Sequence, residues 1–202
     1  GQRAMIESLG ITESAMAMEI RASMDCVKVG EVETGDVFMD RHAYESKGTI
    51  VLNRVKLHTC FSGIVQSGLM KMMVVGMGKI RSATTFHSAP TPEMNRMIIQ
   101  MGQCLIDSDK IVAGVAILED GFDDTAEIHA VAPAQITTVE PKLLERHKTY
   151  FPRLPVDDLN VLVVDQTGKI FSGTGMDPHV IGRSGIRDFL IDGPDIHIIA
   201  AL

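Results

Sequence analysis

The chain has 202 residues, 45% hydrophobic and 22% charged, which is the composition of a folded protein with a substantial core. Acidic residues outnumber basic ones by 26 to 19, and the net charge of −7 speaks against nucleic acid as a partner. No apolar run reaches the ~20 residues of a membrane span, no signal peptide is visible, and three dispersed cysteines suit a reducing compartment, so the sequence predicts a cytoplasmic protein.

The first part of the chain predicts a short helix followed by two strands. Met5, Ile6 and Leu9 have helical spacing with no capping residue ahead of them. Residues 27–32 predict a short strand, and residues 48–55 (GTIVLNRV) predict a stronger one because they are rich in β-branched side chains.

The middle of the chain predicts two helices and two strands. Residues 67–77 are apolar on all sides and predict a buried helix. Residues 92–108 predict an amphipathic helix with Pro92 near its start. Its apolar face contains Met94, Met97, Ile98, Met101 and Leu105. Residues 111–118 predict a continuous apolar strand, and residues 125–131 an edge strand.

The last part predicts a charged helix over residues 135–150, interrupted by Pro141, then a central strand over 160–165 and a final buried strand from Asp195. Strands separated by helices predict an α/β fold with a mainly parallel sheet and flanking helices. Pro152 and Pro155 mark a boundary between a first domain, residues 1–151, and the start of a second α/β lobe, residues 152–202. Because both ends fall in predicted elements, we expect the sequence to be part of a longer protein.

Lys71 and His58 are the first two candidates for chemistry. Lys71 is the one charged residue between Lys56 and Lys79, in the most apolar stretch of the chain. A buried ammonium is costly, so such a lysine is either a nucleophile for Schiff-base or acyl chemistry or one whose stem packs while its amine reaches water. His58 follows a predicted strand at the sheet edge where α/β proteins bind ligands, although capping a loop or packing in the core would also explain it.

His87 is the third candidate, sixteen residues beyond Lys71. Imidazole suits nickel, zinc, copper or iron, but one histidine makes no metal site and no HxH or HxxxH accompanies it. The glycine-rich loop at 173–178 matches no dinucleotide fingerprint. Turns and helix caps would explain most of the polar residues around it. This polar set contains Asp165, Lys169, Asp177, His179 and Arg183, and we assign it no role.

Together these residues resemble the lactate racemase family, whose members use a nickel-pincer nucleotide. That family has a histidine, a glycine, then Ser-Gly-Gly-Arg-Lys, and a further histidine sixteen residues beyond the lysine. The matching pieces here are His58, Gly63, SGLMK at 67–71 and His87. The spacing from Lys71 to His87 is kept, whereas Leu69 and Met70 replace Gly-Arg and the interval from His58 to Lys71 is longer. The chain therefore resembles a divergent, uncharacterised branch of that family.

The resemblance implies a cofactor and a role for each matching residue. Lys71 would form a thioamide with a pyridinium mononucleotide that carries two sulfur arms, and His87 would be the fourth ligand of its nickel ion. Ser67 and Gly68 would contact the same cofactor. His58 would exchange protons with the substrate hydroxyl. Residues 1–151 would then be the cofactor-tethering domain, without its N-terminal part.

The resemblance implies an isomerase: a racemase or epimerase of a 2-hydroxy acid or sugar acid that transfers hydride to and from the tethered cofactor. Its partners would be a small-molecule substrate and the proteins that synthesise the cofactor. The family's second acid/base histidine and a substrate-binding arginine lie upstream of this segment, so we expect the isolated chain to be inactive and to lack cofactor when expressed alone. Two alternatives are a Schiff-base lysine enzyme acting on a keto acid and a non-catalytic module that binds a small ligand or metal.

Overall fold

The computed structural model describes residues 2–186 and 189–202. Two short helices begin it, α1 (Gln2–Ser8) and α2 (Glu13–Met16), and neither has a buried residue. An antiparallel hairpin of β1 (Cys26–Val32) and β2 (Gly35–Asp40) follows. The strand predicted at 27–32 is confirmed by β1, whereas β2 and the short helix α3 (Arg41–Glu45) were not predicted.

A three-stranded sheet forms the centre of the molecule, in the order β3 (Thr49–Arg54), β4 (Ile111–Glu119), β5 (Thr125–Val131). β3 and β4 are parallel, whereas β5 is antiparallel to β4 and lies at the edge, as predicted. Because parallel strands need a long crossover, the chain between β3 and β4 has room for several helices.

The crossover contains one irregular and two regular helices. α4 (Leu69–Lys71) continues as a π-helix over Met72–Gly76. The helix predicted at 67–77 is therefore present, but most of it is π-helical rather than α-helical. α5 (Lys79–Ser88) and α6 (Thr91–Ile106) follow. All five residues of the apolar face predicted for α6 are buried.

Helix α7 (Ile136–Tyr150) follows a turn of 3-10 helix at Pro133–Gln135. The prediction that Pro141 interrupts this helix is wrong, because α7 runs through it. Proline has a helical φ, and because its nitrogen carries no hydrogen the helix loses only the one backbone hydrogen bond that this nitrogen would donate. A buried face holds the helix in place, and it contains Ile136, Glu140, Leu143, Leu144 and His147.

The C-terminal part contains β6 (Asp158–Val164), the one-turn helix α8 (Pro178–Ile181) and β7 (Asp195–Ala201). β6 and β7 form a separate two-stranded parallel sheet. The prediction of a buried final strand is wrong, since Ile196 is the one buried residue of β7 and a two-stranded sheet leaves most of its side chains open. The boundary predicted at 152–155 falls between α7 and β6, and the division into domains stays a prediction.

The α/β class is confirmed, but its parallel character is partial, because β3–β4 and β6–β7 are parallel and β1–β2 and β4–β5 are antiparallel. The core lies between one face of the central sheet and helices α4 to α7 and is rich in methionine. The other face of that sheet exposes Ile50, Leu52 and Ile128. Among the described residues, no helix is long and apolar enough to cross a membrane.

Candidate functional site

The backbone around His58 and Lys71 is closed by a short antiparallel bridge. The Lys56 N–H donates to the Ser67 carbonyl at 2.8 Å, and the Ser67 N–H donates back to the Lys56 carbonyl at 3.2 Å. This bridge closes a loop of residues 57–66 just beyond the carboxyl end of β3. It therefore brings His58, at the start of the loop, against the helix that carries Lys71.

The two side chains touch: 2.6 Å separates Lys71 Nζ from His58 Nε2. On the other side of the ring, the Cys60 N–H donates to His58 Nδ1 at 3.1 Å. Because Nδ1 accepts a hydrogen bond, a neutral His58 ring has its proton on Nε2. That Nε2–H then donates to a lone pair on Lys71 Nζ, which only an uncharged amine possesses. The hydrogen bonds thus select a neutral lysine beside a neutral histidine.

The surroundings of the pair also favour the neutral form of both side chains, because they lower both pKa values. Burial lowers the pKa of Lys71, and Cys60 opposes this shift. Burial, followed by the charges of Lys71 and His87, lowers the pKa of His58 to about 3. Protonation of either group would place two donors face to face in a half-buried position. Burial and these contacts therefore favour the uncharged form of Lys71.

The loop that carries His58 is fixed by four contacts. The His58 N–H donates to Gln66 Oε1 at 2.7 Å, and Gln66 Nε2 donates to the Gly63 carbonyl at 3.3 Å. The His58 ring packs against buried Phe61 with 4.3 Å between centroids. From α8, His179 Nε2–H donates to the His58 carbonyl at 3.1 Å. These contacts hold the imidazole in one orientation.

His87 lies near this pair without joining its hydrogen bonds. It is exposed in the last turn of α5. An aromatic row separates it from His58, with 5.8 Å from Phe61 to Phe86 and 5.2 Å from Phe86 to His87 between ring centroids. The structure therefore groups all three predicted residues on one side of the core, with only Lys71 and His58 in contact.

The two smaller predicted residues, Ser67 and Gly68, lie directly before α4. Ser67 forms the bridge to Lys56, and the Gly68 carbonyl accepts from Asn53 Nδ2 at 2.9 Å. A Cβ at Gly68 would lie 2.3 Å from Glu140 Oε1. Their observed contacts are with the protein itself, and their role toward a cofactor stays a prediction.

Glu140 belongs to the site and was missed from the sequence. It is 1% exposed, and its Oε2 accepts the Met70 N–H at 2.9 Å. Burial raises its pKa to about 7, although hydrogen bonds from the Met70 and Leu69 N–H groups oppose the shift. Its position was open to prediction, because 140 shares the helical spacing of Ile136, Leu143, Leu144 and His147 and so lies on the buried face of α7.

A cleft of about 640 Å³ adjoins the site. Its lining includes Leu57 and Gln66 from the loop around His58, together with Phe151 and His179. His58, Lys71 and His87 are not among the described residues that line it. Of the polar set at 165–183, the structure brings His179 to the site, whereas Asp177 caps α8 by accepting the His179 N–H at 2.9 Å.

Within the part of the chain that the structure describes, no group of three or more His, Cys, Asp or Glu side chains is arranged to hold a metal ion. His87 is an exposed single imidazole.

Comparisons with known proteins bear on the fold. No protein-family model matches the chain, and no curated protein matches it. Among solved structures, the chain is similar to the lactate racemase apoprotein from Thermoanaerobacterium thermosaccharolyticum, with a TM-score of 0.55 and 12% identity. The match covers 77% of this chain and 40% of that one. The chain therefore shares a lactate-racemase-like fold and spans less than half the length of that protein.

Proposed function

We propose that this chain is part of a racemase or epimerase of a 2-hydroxy acid or sugar acid that uses a nickel-pincer nucleotide attached to Lys71. The observation that carries the proposal is the 2.6 Å contact between Lys71 Nζ and His58 Nε2. It joins a neutral amine to a proton-carrying imidazole on a lactate-racemase-like fold. The proposal concerns the whole protein, since the chain covers 40% of the solved relative.

The residues present fit such a cofactor. Attachment through a thioamide requires a neutral amine, and burial lowers the pKa of Lys71 in that direction. The acylated nitrogen is uncharged, so the half-buried position no longer opposes it. A pincer that supplies three donors needs one further ligand, and the exposed imidazole of His87 is available. When bound, the cofactor would take up and return the hydrogen of the substrate carbon.

His58 would accept the proton of the substrate hydroxyl at its Nε2 atom and later return it. As it stands, Nε2–H is a proton donor, because Nδ1 accepts from the Cys60 N–H. To act as a base, the ring must move its proton to Nδ1, which opens the contact with Cys60. Attachment of the cofactor converts the amine to a group that cannot be protonated, so Lys71 no longer adds a positive charge in the acid range where His58 titrates, and the pKa of His58 rises, although burial, the larger cause of its lowering, persists.

Intact-mass measurement tests this proposal. The whole protein, co-expressed with cofactor-synthesis enzymes, should gain mass on the peptide that contains Lys71 and should bind nickel in proportion. A Lys71→Arg variant should gain neither, whereas a Lys56→Arg variant should behave as wild type. An unmodified Lys71 with no nickel under these conditions would contradict the proposal.

A Schiff-base lysine enzyme is the second candidate, because a neutral amine beside a proton donor also suits imine formation. The amine would add to a keto-acid carbonyl, and His58 Nε2–H would help water to leave. Borohydride reduction in the presence of keto acids separates the two candidates. A new secondary amine at Lys71 would support this one, and its absence with every keto acid would favour the first.

A further inference from the structure

We propose that Glu140 is a positioning residue for Lys71: its buried carboxylate holds the first turn of the Lys71 helix and so keeps the amine against His58. The inference rests on the proposed role of Lys71 as a reactive amine. It concerns a residue that touches neither Lys71 nor any reacting atom and acts through the backbone of residues 69 and 70.

The start of α4 needs an outside acceptor. The first N–H groups of a helix have no partner within it, and a side chain of the N-cap residue usually accepts from one of them. The N-cap of α4 is Gly68, which has no side chain. Leu69 and Met70 are 1% and 0% exposed, so water does not reach their N–H groups easily. Glu140 Oε2 fills this role from α7, at 2.9 Å from the Met70 nitrogen.

The remainder of the helix gives this first turn little support. Beyond Lys71 the winding widens into the π-helix of Met72–Gly76, whose hydrogen bonds reach one residue further than those of an α-helix. The α-helical part is only three residues long. The position of Lys71 is therefore set by its N-terminal anchors: the Ser67 bridge, the Asn53 bond to Gly68, and Glu140.

Gly68 is matched to Glu140. Its φ of −179° is an extended conformation that any residue adopts, so the backbone does not require glycine there. The requirement is spatial, because a Cβ at this position would lie 2.3 Å from Glu140 Oε1. Gly68 thus leaves room for the Glu140 carboxylate, which in turn holds the helix that carries Lys71.

Trace acetylation of this chain tests the inference without any cofactor. Acetic anhydride attacks neutral amines, so the rate at an ordinary lysine falls about tenfold for each pH unit below ~10.4. Between pH 9.5 and pH 8, Lys71 in the wild type should lose less rate than the lysine of an unstructured reference peptide added to the same sample, measured by peptide mass spectrometry. Glu140→Gln keeps an acceptor oxygen and should retain this shallow profile. Glu140→Met removes the acceptor and should give Lys71 the steeper profile of the reference peptide.

The control is Asp40→Ala, which removes a side-chain cap from a different helix, where Asp40 accepts the Ala43 N–H at 3.0 Å. It should lower thermal stability and leave the Lys71 profile shallow. If Glu140→Met does not fold, Gly68→Ala attacks the same contact from the other side and should also give a steep profile. A shallow Lys71 profile that survives these changes overturns this inference alone. A steep profile in the wild type overturns it together with the neutral amine on which the proposed function rests.

Discussion

Lys71 and His58 determine each other's protonation state because each is the other's hydrogen-bond partner. With Nδ1 of His58 held by the Cys60 N–H, a proton added to either side chain faces another donor. Burial, the largest cause for both groups, lowers the pKa of His58 and of Lys71 in the same direction. The hydrogen bonds and burial therefore both favour the neutral form of each side chain.

Replacing Lys71 with methionine should raise the pKa of His58 from about 3. In the acid range where His58 titrates, Lys71 is protonated and its charge is the second cause of the lowering; methionine removes that charge, whereas burial remains, so the pKa should stay below that of an ordinary histidine. An NMR titration of the His58 ring measures this. Lys56→Met is the control, because the charge of Lys56 contributes less than those of Lys71 and His87. An unchanged His58 midpoint in Lys71→Met would contradict the coupling.

Part of this site is open to prediction from sequence. Lys71 and His58 stand out because a lone cation in an apolar run and a histidine after a strand are local signals. Glu140 gives no such signal of its function, since it meets Met70 from seventy residues away. Its burial follows from helical spacing, but its partner depends on how α7 packs on α4.

Helix α4 comes unusually close to the central sheet because β4 has a glycine at the contact. A Cβ at Gly114 would lie 2.6 Å from Leu69 Cδ1 and 3.5 Å from Ile136 Cδ1. Leu69 is 1% exposed, so it has little room to move. Gly114 of β4 thus determines how closely the helix that carries Lys71 packs against the central sheet.

Gly114→Val should therefore destabilise the fold by about 1–3 kcal/mol, the usual cost of overpacking a filled core. Urea unfolding measures the change. Gly173→Val is the matched control, because no atom lies within 4 Å of a Cβ at Gly173, and it should change stability little. Equal losses in the two variants would show that the close approach of α4 to β4 is not the cause.

Glu127 ties the edge strand β5 to α7. The Tyr150 hydroxyl donates to its carboxylate, as do Arg146 Nε at 2.8 Å and His129 Nε2 at 2.7 Å. These hydrogen bonds, that of Tyr150 first, lower the pKa of Glu127 to about 2. A lowered acid pKa stabilises the folded state above the unfolded value of about 4.3, and this contribution fades as the pH falls toward 2.

Glu127→Gln should accordingly lower the melting temperature at pH 7, and the difference from wild type should shrink between pH 4.5 and pH 2. Calorimetry across that range measures it. Glu145→Gln, which removes an exposed carboxylate paired with Lys148 at 2.6 Å on the same helix, controls for the loss of one charge. A difference that is constant with pH would show that the three hydrogen bonds do not depend on ionised Glu127.

At the scale of the molecule, hydrophobic periodicity predicted most elements but not how the strands pair. The alternation of strands and helices gave the α/β class, and the continuous apolar run at 111–118 became β4, the central strand. The β1–β2 hairpin and the antiparallel β5 depend on contacts between strands, which single-strand patterns do not encode. For the same reason, the predictions of a central strand at 160–165 and of a buried final strand are wrong, because β6 and β7 pair only with each other.

The open face of the central sheet should make this chain bind hydrophobic probes. Leu52 pairs with Val115, and Ile128 with Ile117, so these residues share the face opposite the core. Leu52 and Ile128 are 58% and 65% exposed.

A contiguous apolar patch attracts apolar ligands and other copies of the chain. Leu52→Lys combined with Ile128→Lys should therefore reduce anilinonaphthalene sulfonate fluorescence and light scattering. Met5→Lys with Leu9→Lys places the same charges on exposed apolar residues in α1 and just after it, and should change neither. Equal effects of the two pairs would show that added charge, rather than the sheet face, controls the association.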